Sequence, residues 1–234
     1  MQHNIKSLIG YRMEATDGDI GKVEDFYFED TTWLIRYLIV ETGNWLLNRK
    51  VLIAPQAIKV NNSKPGIFPI NLTKEQIKSS PDIDTDMPVS EQEAIKQYEH
   101  FGWQWYGTGF YAGGSEATPY INPIIDERMR EDENTDKKNE VDLHLRSTKE
   151  IMGYHIHSDD GDFGHVTDFI LDDKNWQILY LVVDTHEWFG GIKVLIEISK
   201  VQEIQWQKSK VIINISTEEI KASPVFDESK FKHN

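Results

Sequence analysis

Among the residues whose types and spacing could do chemistry in this chain, three histidines come first. His155 and His157 alternate on a run with strand character, so both project to one face. His165 follows the next turn, where a hairpin would bring it within reach of a shared metal ion. Nearby Asp159, Asp160 and Asp162, with Asp17 and Asp19 earlier in the chain, suggest calcium only superficially. An EF-hand loop spreads its carboxylates over about twelve residues and ends in Glu, so turn chemistry explains these aspartates better. Asp25 and Asp168 sit on apolar-flanked runs, where a carboxylate must be hydrogen-bonded. Backbone N–H groups near a hairpin are their expected donors, in preference to acid catalysis.

No nucleophile elbow, phosphate-binding glycine loop or zinc-protease motif occurs. The absence of Cys excludes disulfides, thiolate metal sites and cysteine nucleophiles. The sequence is therefore read as non-enzymatic, with no catalytic residues and no cofactor.

The elements that carry these residues are duplicated. Residues 9–81 align without a gap with residues 152–224 at a constant offset of 143, and about 28 of roughly 72 positions are identical. Gly10-Tyr11, Asp17-Gly18-Asp19, Gly21, Val23 and Asp25-Phe26 recur as Gly153-Tyr154, Asp160-Gly161-Asp162, Gly164, Val166 and Asp168-Phe169. Trp33, Tyr37-Leu38, Trp45 and Lys50-Val51-Leu52-Ile53 recur as Trp176, Tyr180-Leu181, Trp188 and Lys193-Val194-Leu195-Ile196. Arg12, Glu14 and Lys22 occupy the places of His155, His157 and His165, as an ordinary solvent-facing strand side would, so no metal is assigned to the histidines.

Asp-Gly between short extended runs predicts a hairpin tip at Gly18 and Gly161, and the second glycine suits a bulge or a close backbone approach. Residues 33–41 and 176–184 are apolar on both parities, the pattern of a strand covered on both faces. Shorter strands are expected at 50–54, 58–60 and 67–70, and at 193–197, 201–204 and 211–215. Thr73 with Gln76, and Ser216 with Glu219, have capping-box spacing and predict a short helix at the end of each copy, stopped by Pro81 and Pro224.

Between the copies, Ser90 to Phe101 reads as a helix packed on a barrel, with a Ser90-Glu93 capping box and a Gly102 C-cap. Trp103, Trp105 and Tyr106 then crowd a Gly-interleaved stretch that is either satellite core or a partner surface. A densely charged connector follows at 127–139. Trp45 and Trp188 follow the core strand and read as core plugs or as exposed contact residues.

The net charge of -14 disfavours direct binding to nucleic acid, which needs clustered Lys and Arg. No apolar run approaches the length of a transmembrane helix and the opening residues MQHNIKSLIG lack a signal-peptide core, so a cytoplasmic location is expected.

The run from Leu145 through Gly153-Tyr154, Asp160-Gly161-Asp162, Gly164-His165-Val166, Asp168-Phe169, Trp176 and Tyr180 to Thr185 resembles the PRC-barrel domain family, and residues 10–58 show the same frame. The resemblance implies a small β-barrel used for assembly or protein contact, without a common catalytic set. The expected fold is all-β with short helices: two tandem small PRC-type β-barrels, over 1–84 and 147–234, joined by a partly helical, aromatic-rich linker at 85–146. The expected function is a non-enzymatic protein-binding or scaffold module that engages a protein partner or self-associates. The alternative is a small-molecule or metal sensor with its site between the barrels. Partner contacts are expected at Trp103, Trp105, Tyr106, Trp45 and Trp188.

Overall fold

A computed structural model describes residues 1–59, 64–80, 100–101, 145–158, 160–185 and 191–231. The first half runs β1 (Gln2–Asn4), a helical turn (Ile5–Leu8), β2 (Arg12–Ala15), β3 (Gly18–Glu29), β4 (Ile35–Glu41), β5 (Lys50–Ile53), β6 (Ile67–Pro69) and a helix (Lys74–Lys78). The second runs β7 (Leu145–Ser147), a helical turn (Thr148–Ile151), β8 (His155–Ser158), β9 (Gly161–Asp172), β10 (Gln177–Asp184), β11 (Lys193–Glu197), β12 (Val201–Gln205), β13 (Lys210–Ile213) and a helix (Thr217–Ala222). Strands dominate and the helices are short, as the fold class requires.

The strands form two sheets in equivalent order. One runs β5-β4-β3-β2-β6 and the other β11-β10-β9-β8-β13-β12, so neither path closes on itself. Each is antiparallel except at one parallel pair, β2 with β6 and β13 with β8. The expected strand at 58–60 is reduced to a single bridge between Ile58 and Ile70, with Val60 outside the described residues. Its counterpart in the second half is the full ribbon of β12 and β13.

The hairpin between β2 and β3 closes on the pair Ala15 and Gly18, and that between β8 and β9 on Ser158 and Gly161. Each glycine therefore opens the second strand instead of occupying the turn. The turn aspartate has another duty. Asp17 accepts from the Lys74 N–H at 2.9 Å and Asp160 from the Thr217 N–H at 3.0 Å, so each satisfies an open donor at the start of its module's helix. Both helices carry the expected capping box, on Thr73 with Gln76 and on Ser216 with Glu219.

Gly21 and Gly164 mark a close approach. A Cβ there would stand 1.9 Å from the carbonyl oxygen of Glu41 or Asp184, so only glycine lets the long strand pass this near its neighbour.

One hydrophobic cluster spans both halves and includes Phe26, Phe28 and Leu38 with Phe169, Leu171 and Leu181. The opposite face of each central strand is covered by different means. In the first half, Tyr27, Tyr37, Ile39 and Leu52 cluster with Leu145. In the second, Ile170 and Val182 lie under Phe231, with Phe226 packed alongside. The tail that brings these rings also borders β11: the Leu195 N–H donates to the Pro224 carbonyl and the Phe226 N–H to that of Lys193, both at 2.8 Å. Pairing of this kind satisfies a sheet edge that would otherwise be open. Of the expected helix at 90–101 only 100–101 is described; both residues are helical, and Phe101 packs against the core.

Candidate functional site

The segment ahead of each module seats on the sheet of the other. β1 pairs antiparallel with β9 through Gln2 and Asp172, His3 and Leu171, Asn4 and Ile170. β7 pairs antiparallel with β3 through Leu145 and Glu29, Arg146 and Phe28, Ser147 and Tyr27. The two registers are related by the repeat offset. Sheet pairing thus crosses the linear boundaries expected from the sequence, since residues 2–4 belong to the second sheet and residues 145–147 to the first. These strand-and-turn segments are the arms of the two modules.

Each arm is held by a buried aspartate, and this corrects the donors expected for Asp25 and Asp168. Asp25 does accept its neighbour's backbone N–H, from Phe26 at 2.7 Å, but its other donors come from the far arm: the Ser147 hydroxyl, the Thr148 hydroxyl at 2.8 Å and the Lys149 N–H at 3.1 Å. Asp168 accepts from the Phe169 N–H at 2.8 Å, the Asn4 side-chain amide at 2.9 Å and the Lys6 N–H at 3.0 Å. A four-residue helical turn leaves its first N–H groups without internal partners, and here a carboxylate from another module meets one of them. Burial pushes both carboxyls above their ordinary value, outweighing these donors. A further side-chain contact accompanies each arm: an ion pair of Arg146 with Asp30 at 2.9 Å, and a hydrogen bond between the His3 ring and Asp173 at 2.8 Å. Ile5, Leu8 and Ile151, the arm side chains that face inward, are fully or almost fully buried.

The modules meet again at Trp33 and Trp176, which the sequence reading placed at the start of a core strand. Both adopt left-handed backbone conformations, with φ of 60° and 57°. The Ile35 N–H donates to the Trp176 carbonyl and the Ile178 N–H to the Trp33 carbonyl, both at 2.8 Å. Phe28 and Phe169 pack between the halves at 5.8 Å. A left-handed conformation costs a non-glycine residue on the order of 1 kcal/mol, and here it points two carbonyls across the module boundary. Repetition of the tryptophans was the only signal for this role, and repetition cannot reveal a positive φ.

His155 and His165 face each other across β8 and β9, while His157 pairs with Asp162 at 2.7 Å. The His157 and Lys210 hydrogen bonds hold the Asp162 carboxyl below the usual range. Among the described residues no group of three or more His, Asp or Glu is placed to hold a metal ion. Trp45 is half-buried against the core, donates from its ring N–H to the Ile20 carbonyl and lies under Lys74 at 5.4 Å. Trp103, Trp105, Tyr106 and Trp188 lie outside the described residues.

A cavity of about 40 Å³ lies between the modules, lined by His3, Tyr11, Lys64, Phe68, Asp173 and Trp176 among others. Sites for drug-sized ligands run to roughly 300–1,000 Å³, and this one has room for little more than water. Among the described residues, no helix is long and apolar enough to cross a membrane.

The PRC-barrel domain model matches two segments, residues 2–77 and 150–220, which hold the duplicated hairpins and both arm seats. The chain belongs to the PRC-barrel domain family. It is also similar to an uncharacterized protein of Deinococcus radiodurans, with 32% identity over 85 residues. That match covers 36% of this chain and 30% of the relative.

Proposed function

We propose that the protein is a non-enzymatic assembly module that works in the cytoplasm by binding another protein, without direct contact to nucleic acid. The observation that carries this reading is the reciprocal arm seat. Each module's sheet is extended by a strand supplied from outside that module and anchored on a buried carboxylate, which is the β-augmentation mode of peptide recognition. The same geometry joins the two modules through both arm seats. Trp45, Trp188 and the Trp103-Trp105-Tyr106 cluster are the proposed contact residues.

The test is purification of the tagged full chain from its native cells. A protein partner retained in fixed stoichiometry, and lost when Trp103, Trp105 and Tyr106 are replaced by Ser in a chain with an unchanged melting temperature, is the expected result. Recovery of no partner, with cellular function kept in that variant, overturns it. Metal analysis and a ligand thermal-shift screen separate this reading from a sensor, because a ligand that binds only the folded state must raise the melting temperature.

A further inference from the structure

We propose that the arm seats also take a second copy of this chain, so that module 1 of one copy pairs with module 2 of the other in a closed, arm-exchanged dimer. The proposal rests on the assembly reading above and names the partner.

The strand pairs of the first arm, Gln2 with Asp172, His3 with Leu171 and Asn4 with Ile170, are all to the second module, as are its two bonds to Asp168. The strand of the second arm likewise pairs only with the first module, and its anchor there is Asp25. Each arm joins the body of its own half through a short link containing Gly10 or Gly153, at φ of 84° and 98° with open space around the Cβ position. A second copy presents the same seat, carboxylate and register. Nothing in the seat distinguishes the arm of its own chain from that of another, so the contacts in the closed and exchanged forms are the same. Their balance is then set by the covalent tether and by protein concentration. Exchange between two copies fills all four seats, leaving none to recruit a third, so the assembly closes as a dimer and does not extend as a filament.

The chain contains no Cys, which makes a disulfide test clean. Gln2 and Asp172 are direct cross-strand partners, and such pairs lie within disulfide reach. Full chains carrying Gln2→Cys and Asp172→Cys together should cross-link within one chain, which checks the seat. Full chains carrying Gln2→Cys alone are then mixed with size-tagged chains carrying Asp172→Cys alone, unfolded and refolded together at high concentration, and oxidised. The expected result is a tagged-untagged covalent dimer several-fold above that from Gln2→Cys mixed with Glu218→Cys, an exposed position in the C-terminal helix. Failure of the double variant to cross-link overturns the proposal at its seat. An intact link within the double variant, with no excess of the mixed dimer, overturns the second copy as partner and leaves the assembly reading to its own co-purification test.

Discussion

The two modules share the residues that fix backbone paths and differ in those that cover their sheets. Asp25 and Asp168, Gly21 and Gly164, and Trp33 and Trp176 are identical pairs with identical duties. Thr42 and Thr185 are another, each donating its hydroxyl to a carbonyl across the following loop, at 2.7 and 2.8 Å. Buried core positions such as Phe26 and Phe169, Leu38 and Leu181, and Val40 and Val183 are also identical, and the halves diverge in what covers their outer faces. Leu145 of an arm covers the outer face of the first sheet, and Phe231 of the tail covers that of the second. Phe28 stands where the second half has Leu171, and the inter-module cavity opens beside the smaller residue. Identity between the copies therefore follows the shared backbone path and the core it encloses, because a backbone approach or a close-packed interior tolerates fewer residue types than an outer cover does.

The severest break in this comparison should come from the shared glycines. Gly21→Ala and Gly164→Ala each drive a Cβ onto a backbone carbonyl, and each should lose about 3 kcal/mol or more in urea unfolding. A large loss at one and none at the other would show that the halves are not equivalent there.

The covers come next. Phe231→Ala should cost roughly 3 kcal/mol and Leu145→Ala roughly 2 kcal/mol, read as falls in melting temperature, since both side chains are buried. If Phe231→Ala is neutral, the second sheet's outer face does not depend on the tail.

The anchors are graded by their donors. Asp25 accepts from four groups and Asp168 from three. At about 1 kcal/mol for each stranded donor, Asp25→Ala should be the more damaging by roughly 1 kcal/mol. The reverse order would detach stability from the donor count.

A pH series sharpens the same pair. Burial raises both carboxyls above the ordinary value of 3.8, so the folded state holds their protons more tightly than the unfolded chain does. The stability they contribute is full below that value and falls as pH rises through the raised pKa. The double variant Asp25→Asn and Asp168→Asn cannot titrate, so its melting temperature should gain on the parent's as pH rises through that window. A constant gap would contradict this. Glu29 has the opposite sign. Burial pushes it up, but the Arg36 guanidinium and the Thr32 and Thr31 hydroxyls hold it below its ordinary 4.5, so its contribution is present above that value and lost as pH falls.

The smallest effect should be at the loop before β5. Leu47 is left-handed at φ 55° and 92% exposed, whereas the aligned residue of the second half is Gly190. Leu47→Gly should stabilise by about 0.5 kcal/mol, the relief of strain being partly offset by the added freedom of the unfolded chain. Destabilisation would mean that the Leu47 side chain has a structural role.

The duplication, the central strands, the capping boxes and the position of each hairpin were all legible in the order of residues, because each depends on neighbours a few positions apart. Part of the turn chemistry was not. Asp-Gly suggested glycine inside the turn, while the structure gives the aspartate a helix to cap and the glycine a strand to open. The candidate site was less legible still: Asp25 and Asp168 stood out as buried carboxylates, but most of their donors lie more than a hundred residues away.

Sequence alone determined that each half would be a small strand-rich module of one design, since periodicity and turn residues act locally. Only the tertiary structure decided that each arm would leave its own half and complete the other. Alternation and capping make a segment a strand and a turn, but both sheets offer it the same edge and the same carboxylate. The choice between them depends on how the whole chain packs.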